Sequence, residues 1–229
     1  MWVLIPVKPL ASAKTRLAGV LSAAERQALV LHMLDDVLAA LADAPGIAGI
    51  ALVSADPAVA RIAAERGLRL LPEAAPGLNG ALAGALAALA AEGVARLLVL
   101  PADIPLIDAA AVQRLAAAQD AAPALTLVAA RADGGTNALL LAPPDLLAPA
   151  FGPGSCARHA RAAAALGVTP VLLDLPQVAL DIDRPEDLAR LALHAGAPRT
   201  REFLDRIGAW ARPGVAGAEP RAALARQAS

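Results

Sequence analysis

Short apolar runs alternate with capped helical segments along most of this 229-residue chain, and that alternation restricts its fold more than any other feature. The run WVLIPV at residues 2–7 has the length and continuity of a buried strand. Ser22 then opens a helical segment with Glu25 three residues on, the pairing of a capping box. IAGIALVS at 47–54 predicts a second strand. Pro57 in a first turn and Gly67 as a stop bound the next helix, and LRLLPE at 68–73 is a third strand. The glycine-rich loop APGLNGA leads to an alanine helix and then to the strand ARLLVLPAD at 95–103. Strand and helix in turn predict an α/β fold, doubly wound and parallel in this half.

The rhythm changes from about residue 108. A helix near DAAAVQRLAAAQ precedes two strands, ALTLVAAR and TNALLLAPP, separated only by ADGG. That spacing permits a hairpin and so an antiparallel pair, which makes the sheet mixed. FGPGS then leads into the helix CARHARAAAALG, the strand VTPVLLDLP and the helical LDIDRPEDLARLALHAG. Residues 1–196 are expected to form one domain. Residues 197–229, rich in Pro, Gly, Ala and Arg, read as a peripheral, partly flexible extension with one helix at REFLDRIGAWA.

Composition excludes several classes of function. Hydrophobic residues make up 58% of the chain, but charge or proline interrupts every long apolar stretch. No segment approaches the roughly 20 apolar residues of a membrane helix. The amino-terminal apolar run is too short for a signal peptide and ends in proline and lysine. A formal charge of −1, no tyrosine and two phenylalanines argue against a nucleic-acid surface. The single cysteine, Cys156, excludes an intrachain disulfide, and the three histidines are too scattered for a zinc pattern. A cytoplasmic location is expected.

The rare polar residues are concentrated. Of 20 lysines and arginines only Lys8 and Lys14 are lysine, and both lie in VKPLASAKTRL directly after the first strand. The chain's two asparagines, Asn79 and Asn137, fall in GLNGA and GTNAL. Each of these segments adjoins a strand where a mixed α/β sheet presents its ligand crevice. Lys8, Lys14 and Arg16 together make a cationic loop suited to a polyphosphate, although a solvated basic loop without a ligand has the same appearance. No Walker motif and no GxGxxG is present.

Carboxylates and a second anion site complete the pattern. Asp103 in LPADIPL stands at the end of a buried strand, placed either to hold magnesium or to cap a turn. Asp181 and Asp183 in LDIDRPEDL alternate along an extended segment and so share a face. Asp183 also heads a capping box with Glu186. FGPGS ends at a helix start, where free amides and the Ser155 hydroxyl make an anion site, or where Ser155 is a simple N-cap. Cys156 reads as a packed thiol. Cations for a polyphosphate, carboxylates for a divalent ion, a Gly/Asn loop for base or ribose and a small anion site are the inventory of a nucleotidyltransferase. A phosphate nucleophile in such an enzyme needs no general base, so catalysis reduces to charge neutralisation and alignment.

The order VKPLASAKTRL, GLNGAL, LPADIPL, GTNALLL, FGPGS with RHA, and LDIDRPEDL resembles the CofC/FbiD guanylyltransferases of deazaflavin coenzyme F-420 biosynthesis, from Val3 to about Leu193. The resemblance implies a GT-A-like, MobA-related fold, a mixed and mostly parallel sheet with helices on both faces. It also implies GMP transfer from GTP to a small phosphorylated acid (2-phospho-L-lactate, phosphoenolpyruvate or 3-phospho-D-glycerate) with release of pyrophosphate. On residue chemistry alone, Lys8, Lys14 and Arg16 are expected at the triphosphate and Asn79 and Gly80 also at the GTP, while motif match to the family assigns the rest. Thr136, Gly152 and Ser155 meet the acid, and Asp103, Asp181 and Asp183 hold Mg2+ or Mn2+. Neither a membrane nor nucleic acid is an expected partner, and a homodimer is left open. The rival readings are a molybdopterin or sugar-phosphate nucleotidyltransferase on the same fold, and a non-catalytic nucleotide-binding protein.

Overall fold

The computed structural model describes residues 1–119 and 121–215. Its centre is β1 (Trp2–Pro6), whose side chains alternate between two apolar layers. Val3 and Ile5 enter one layer and Leu4 the other, and all three are fully buried. A strand buried on both faces carries no polar position, which is why this segment reads as a continuous apolar run.

Three further strands run parallel beside it: β2 (Gly49–Val53), β3 (Arg69–Leu71) and β4 (Leu97–Val99). Val3 faces Ile50 on one side and Leu98 on the other. The expected hairpin is present as β5 (Ala124–Ala129) and β6 (Thr136–Ala142), and β6 pairs antiparallel with both β5 and β4. A two-residue strand, β7 (Val171–Leu172), joins β5 in parallel. The order β3-β2-β1-β4-β6-β5-β7 is thus a mixed, mostly parallel sheet.

Helices cover both faces. On the Val3 face lie α1 (Ala23–Ala42), α2 (Pro57–Glu65), α4 (Ala109–Ala117), the short α6 (Pro176–Ala179) and α7 (Pro185–Ala192). On the Leu4 face lie α3 (Gly77–Ala91) and α5 (Ser155–Ala165). The Ser22–Glu25 capping box is closed in both directions, at 2.8 and 3.3 Å. None of the helices in the described residues is long and apolar enough to cross a membrane.

Three local expectations are corrected. The helix α3 already begins at Gly77, so Asn79 and Gly80 lie in its first turn and not in a preceding loop. Asp183 does not cap α7: Asp187 reaches back to accept from the amides of Arg184 and Asp183, at 2.9 and 3.1 Å. The chain beyond Gly196 is not peripheral as far as it is described. Its helix α8 (Pro198–Arg206) packs on α1, with Phe203 and Leu204 in the core. Residues 216–229 of the expected extension lie outside the described residues.

The anchor of α8 is Asp36, a buried carboxylate inside α1. It accepts from the amide and hydroxyl of Thr200, at 2.8 and 2.6 Å, and from the Arg199 amide at 3.1 Å. Amides at a helix start have no partner of their own, so the carboxylate satisfies donors that burial would otherwise leave stranded. Asp36→Ala is expected to lower unfolding free energy by about 2–4 kcal/mol, read by urea denaturation. An unchanged midpoint would mean that α8 docks through apolar contacts alone.

Candidate active site

The crevice opens where the sheet changes direction. From β1 the chain moves outward to β2 and β3, then returns across to β4 on the other side of β1. The loops following β1 and β4 therefore diverge, and a cleft forms at the strands' carboxyl ends. This cleft of about 380 Å³ is lined by Lys8, Lys14, Arg16, Asp103, Asp183 and the apolar Leu78, among others.

Lys14 is its centre. The ammonium Nζ donates to Asp103 Oδ2 at 2.5 Å and to Asp183 Oδ1 at 2.7 Å. Arg16 approaches the other Asp183 oxygen at 3.4 Å. These groups come from segments far apart in sequence, and backbone contacts bring them together. The Ile182 amide donates to the Asp103 carbonyl at 2.9 Å, pinning the LDID segment against the DIP turn. Asp56 caps α2 through one oxygen and accepts from the Leu10 amide at 2.8 Å through the other, which fixes the lysine loop to the end of β2.

Lys14 itself has left-handed backbone geometry, φ 51° and ψ 40°. For a residue with a Cβ this costs about 1–2 kcal/mol. Only Lys14 and Ala197 share that sign of φ among the described non-glycine residues. The strain aims the ammonium between the two carboxylates, and the ion pairs and the bond from the Leu17 amide to the Lys14 carbonyl (2.9 Å) hold it there.

The electrostatics follow from this packing. Burial alone would deprotonate Lys14, but Asp103 and Asp183 outweigh it and raise its pKa. Burial would likewise raise Asp183, and Lys14, Arg16 and Lys8 reverse the effect, so it stays ionised. Asp181 lies just behind, bonded to the Asn137 amide at 3.1 Å. Burial and then the Asp103 charge push its pKa upward. Asp181 and Asp183, expected on one face, thus differ in company: Asp183 faces the cations and Asp181 an amide.

Asp103 Oδ1 is buried and has no hydrogen-bond partner among the described residues. An orphaned anionic oxygen beside a second carboxylate suits a hard divalent cation that completes its shell with substrate phosphates. Among the described residues no cluster of three or more metal-ligating side chains forms a ready-made protein cage. The donor set fits a magnesium ion shared with a nucleotide.

The residues matched to the acceptor occupy a separate region beyond α3. Gly152 is exposed, with φ +126°, a conformation that a side chain rarely adopts. Ser155 is fully buried and Thr136 nearly so, and their hydroxyl oxygens are 2.9 Å apart. Ser155 is the first residue of α5, and the N-cap is Gly154. The expected free amides are also occupied: Ser155 N–H donates to Gly152 at 3.0 Å and Cys156 N–H to Gly134 at 3.2 Å. The exposed part of this region is the turn at Gly152 and Pro153. Asn79, expected at the nucleotide, instead clamps Phe151, accepting from its amide at 2.7 Å and donating to its carbonyl at 3.2 Å. Gly80 lies close against Ala75, where an added Cβ would come within 2.9 Å.

The sequence reading missed His159. It is fully buried, with Nδ1 3.1 Å from Thr136 Oγ1 and Nε2 accepting from the Ala150 amide at 2.9 Å. Its signal was the four-residue spacing from Ser155, which places both on one face of a helix. Burial, and secondarily the Arg158 charge, lower its pKa to about 4.

The arrangement gathers three cations and two carboxylates around a space for a polyphosphate, with a small exposed turn nearby. Solved structures share this architecture. One of 4-diphosphocytidyl-2C-methyl-D-erythritol synthase superposes with a TM-score of 0.59 at 18% identity, covering 84% of this chain and 97% of that one. The chain is a nucleotidyltransferase. A family model described as "Guanylyl transferase CofC like" matches residues 1–224, and the chain belongs to that family. A phosphoenolpyruvate guanylyltransferase of Rubrobacter xylanophilus is 43% identical over 196 residues, covering 86% of this chain and 95% of the relative. A 3-phospho-D-glycerate guanylyltransferase of Phenylobacterium zucineum is 41% identical over 199 residues, covering 84% and 89%.

The buried histidine generates a pH prediction. With a folded pKa of about 4 against roughly 6.5 unfolded, the unfolded chain binds the proton first. Its stabilising contribution is complete above about pH 6.5 and is lost as pH falls towards 4, on the order of 3 kcal/mol in total. His159→Asn, which does not titrate, should flatten this part of the stability profile. Parallel profiles for wild type and variant would refute the assignment.

Proposed function

We propose that this protein transfers GMP from GTP to a small phosphorylated carboxylic acid and releases pyrophosphate, as a cytoplasmic step in coenzyme F-420 biosynthesis. The observation that carries the reading is Lys14 held between Asp103 and Asp183 at the carboxyl ends of β1 and β4. Membership of the guanylyltransferase family supports guanine as the base. The names of the two relatives support phosphoenolpyruvate or 3-phosphoglycerate as acceptor, and 2-phospho-L-lactate has the same pair of anionic groups.

The triphosphate lies along the loop carrying Lys8, Lys14 and Arg16, where it meets three cations from nine residues of chain. An oxygen of the acid's phosphate attacks the α-phosphorus, a new P–O bond forms, and the bond to the β-phosphate oxygen breaks. The attacking oxygen is already anionic at neutral pH, so no side chain has to remove a proton. The chain's contribution is to neutralise charge on the departing pyrophosphate and to keep attacker and leaving group in line. Asp103 and Asp183 would hold Mg2+ or Mn2+, with Asp181 behind them, and the ion supplies further neutralisation on the phosphates. The acid sits over the exposed Gly152 turn, beneath which Thr136 and Ser155 lie as a polar floor.

Asp103→Asn should abolish pyrophosphate release, by roughly 100-fold or more, while leaving the circular dichroism spectrum unchanged. Near wild-type turnover at saturating magnesium would reduce Asp103 to a turn residue. Removing the central cation by Lys14→Ala should cost on the order of 100-fold in kcat/KM for GTP. Arg61→Ala, on the exposed side of α2, should leave that constant unaltered. Equal, small effects of the two changes would dissociate the lysine loop from the nucleotide.

A further inference from the structure

His159 lies outside the cation–carboxylate centre, is wholly buried, and uses both ring nitrogens. A buried neutral imidazole has one donor and one acceptor, and its partners decide which nitrogen carries the proton. The Ala150 amide can only donate, so Nε2 must be the acceptor and the proton resides on Nδ1. Nδ1–H then donates to Thr136 Oγ1. Thr136 Oγ1 and Ser155 Oγ are 2.9 Å apart, and either hydroxyl can be the donor between them. When Thr136 donates, the Ser155 proton is left over, since among the described residues Ser155 Oγ has no other hydrogen-bond partner.

We infer that His159 is a positioning residue for the acceptor end, orienting a one-way hydrogen-bond chain, His159 to Thr136 to Ser155, whose donor end lies at the start of α5 beneath the Gly152 turn. This rests on the placement of the phosphorylated acid at that turn. Three hydroxyl and imidazole dipoles aligned in one direction reinforce the positive end of the α5 dipole, and in a buried setting such dipoles act with little screening. The same ring fixes the turn's shape, since it holds Ala150 and packs edge-on against Phe151 with centroids 5.1 Å apart. An anion over Gly152 is thus favoured by a field that a reversed chain would oppose. The Arg158 guanidinium, which donates to the Pro153 and Ala150 carbonyls, adds a full positive charge at the same turn.

Two near-isosteric variants separate the roles. An asparagine amide nitrogen takes the place of Nδ1, so His159→Asn keeps the donor to Thr136 and loses the bond to Ala150. A glutamine reaches the place of Nε2, so His159→Gln keeps Ala150 and loses the donor. Steady-state kinetics with phosphoenolpyruvate and GTP, together with melting temperatures, are measured on both and on wild type. His159→Gln should raise KM for the acid about tenfold or more, with KM for GTP within about twofold. His159→Asn should restore most of the acid KM while melting lower than wild type. A purely structural histidine would give the opposite split: both constants unchanged in His159→Gln, or both disturbed in proportion to the fall in melting temperature. Either outcome overturns the inference. A wild-type protein that released no pyrophosphate from GTP with any of the three acids would instead overturn the functional reading beneath it, so the two failures are distinct.

Discussion

A single ammonium between two carboxylates organises the ligand-facing side of this molecule. Lys14 is nearly withdrawn from water, its side chain 7% exposed, and a buried cation is tolerated only with well-placed anions. Asp103 and Asp183 supply them from segments far apart in the sequence. The ion triplet therefore does more than decorate a cleft. It joins the loop after β1, the turn after β4 and the approach to α7, and these three segments are walls of the cleft. The left-handed backbone at Lys14 is maintained by the same contacts.

The acceptor region is built differently. Among the described residues it contains no buried ion pair, and its buried side chains are two hydroxyls and an imidazole bonded in series. Side chains from two helices hold the turn at 150–154: Asn79 of α3 grips Phe151, and Arg158 of α5 donates to the carbonyls of Pro153 and Ala150 at 2.6 and 2.9 Å. Asn79 is preceded by Leu78, which lines the nucleotide cleft. One turn of α3 thus touches both the cleft and the turn at 150–154.

Much of this was legible in the sequence, for identifiable reasons. Continuous apolar runs mark doubly covered strands because no polar residue is tolerated on either face. The lysine loop and the DIP and LDID carboxylates stood out because the topology sends them to the same sheet edge. What sequence could not supply was partner choice. Asp187 and not Asp183 caps α7, since either lies within reach of the same amides and the winner depends on what else Asp183 meets. Asp36 looks like a solvated helix position until α8 is laid over it. Ser155 reads as an N-cap, yet an αL glycine takes that place and turns the hydroxyl inward. His159 was passed over because the three histidines, scattered along the sequence, form no ligand pattern. In each case the deciding contact spans many residues of sequence, whereas local pattern records only what each segment does by itself.

The geometry around Lys14 also bears on the chain's use of arginine in place of lysine. Every basic position but residues 8 and 14 is arginine. At residue 14 that exchange meets an obstacle of shape. Both carboxylates converge on one nitrogen atom, at 2.5 and 2.7 Å. An ammonium is a point charge with rotatable donors, and a planar guanidinium spreads its donors over a fork several atoms wide. Arginine would have to separate Asp103 from Asp183, and with them the two segments that the Ile182–Asp103 backbone bond ties together. Lysine at this position is therefore matched to its site by shape, in a chain whose basic residues are arginine everywhere but at 8 and 14.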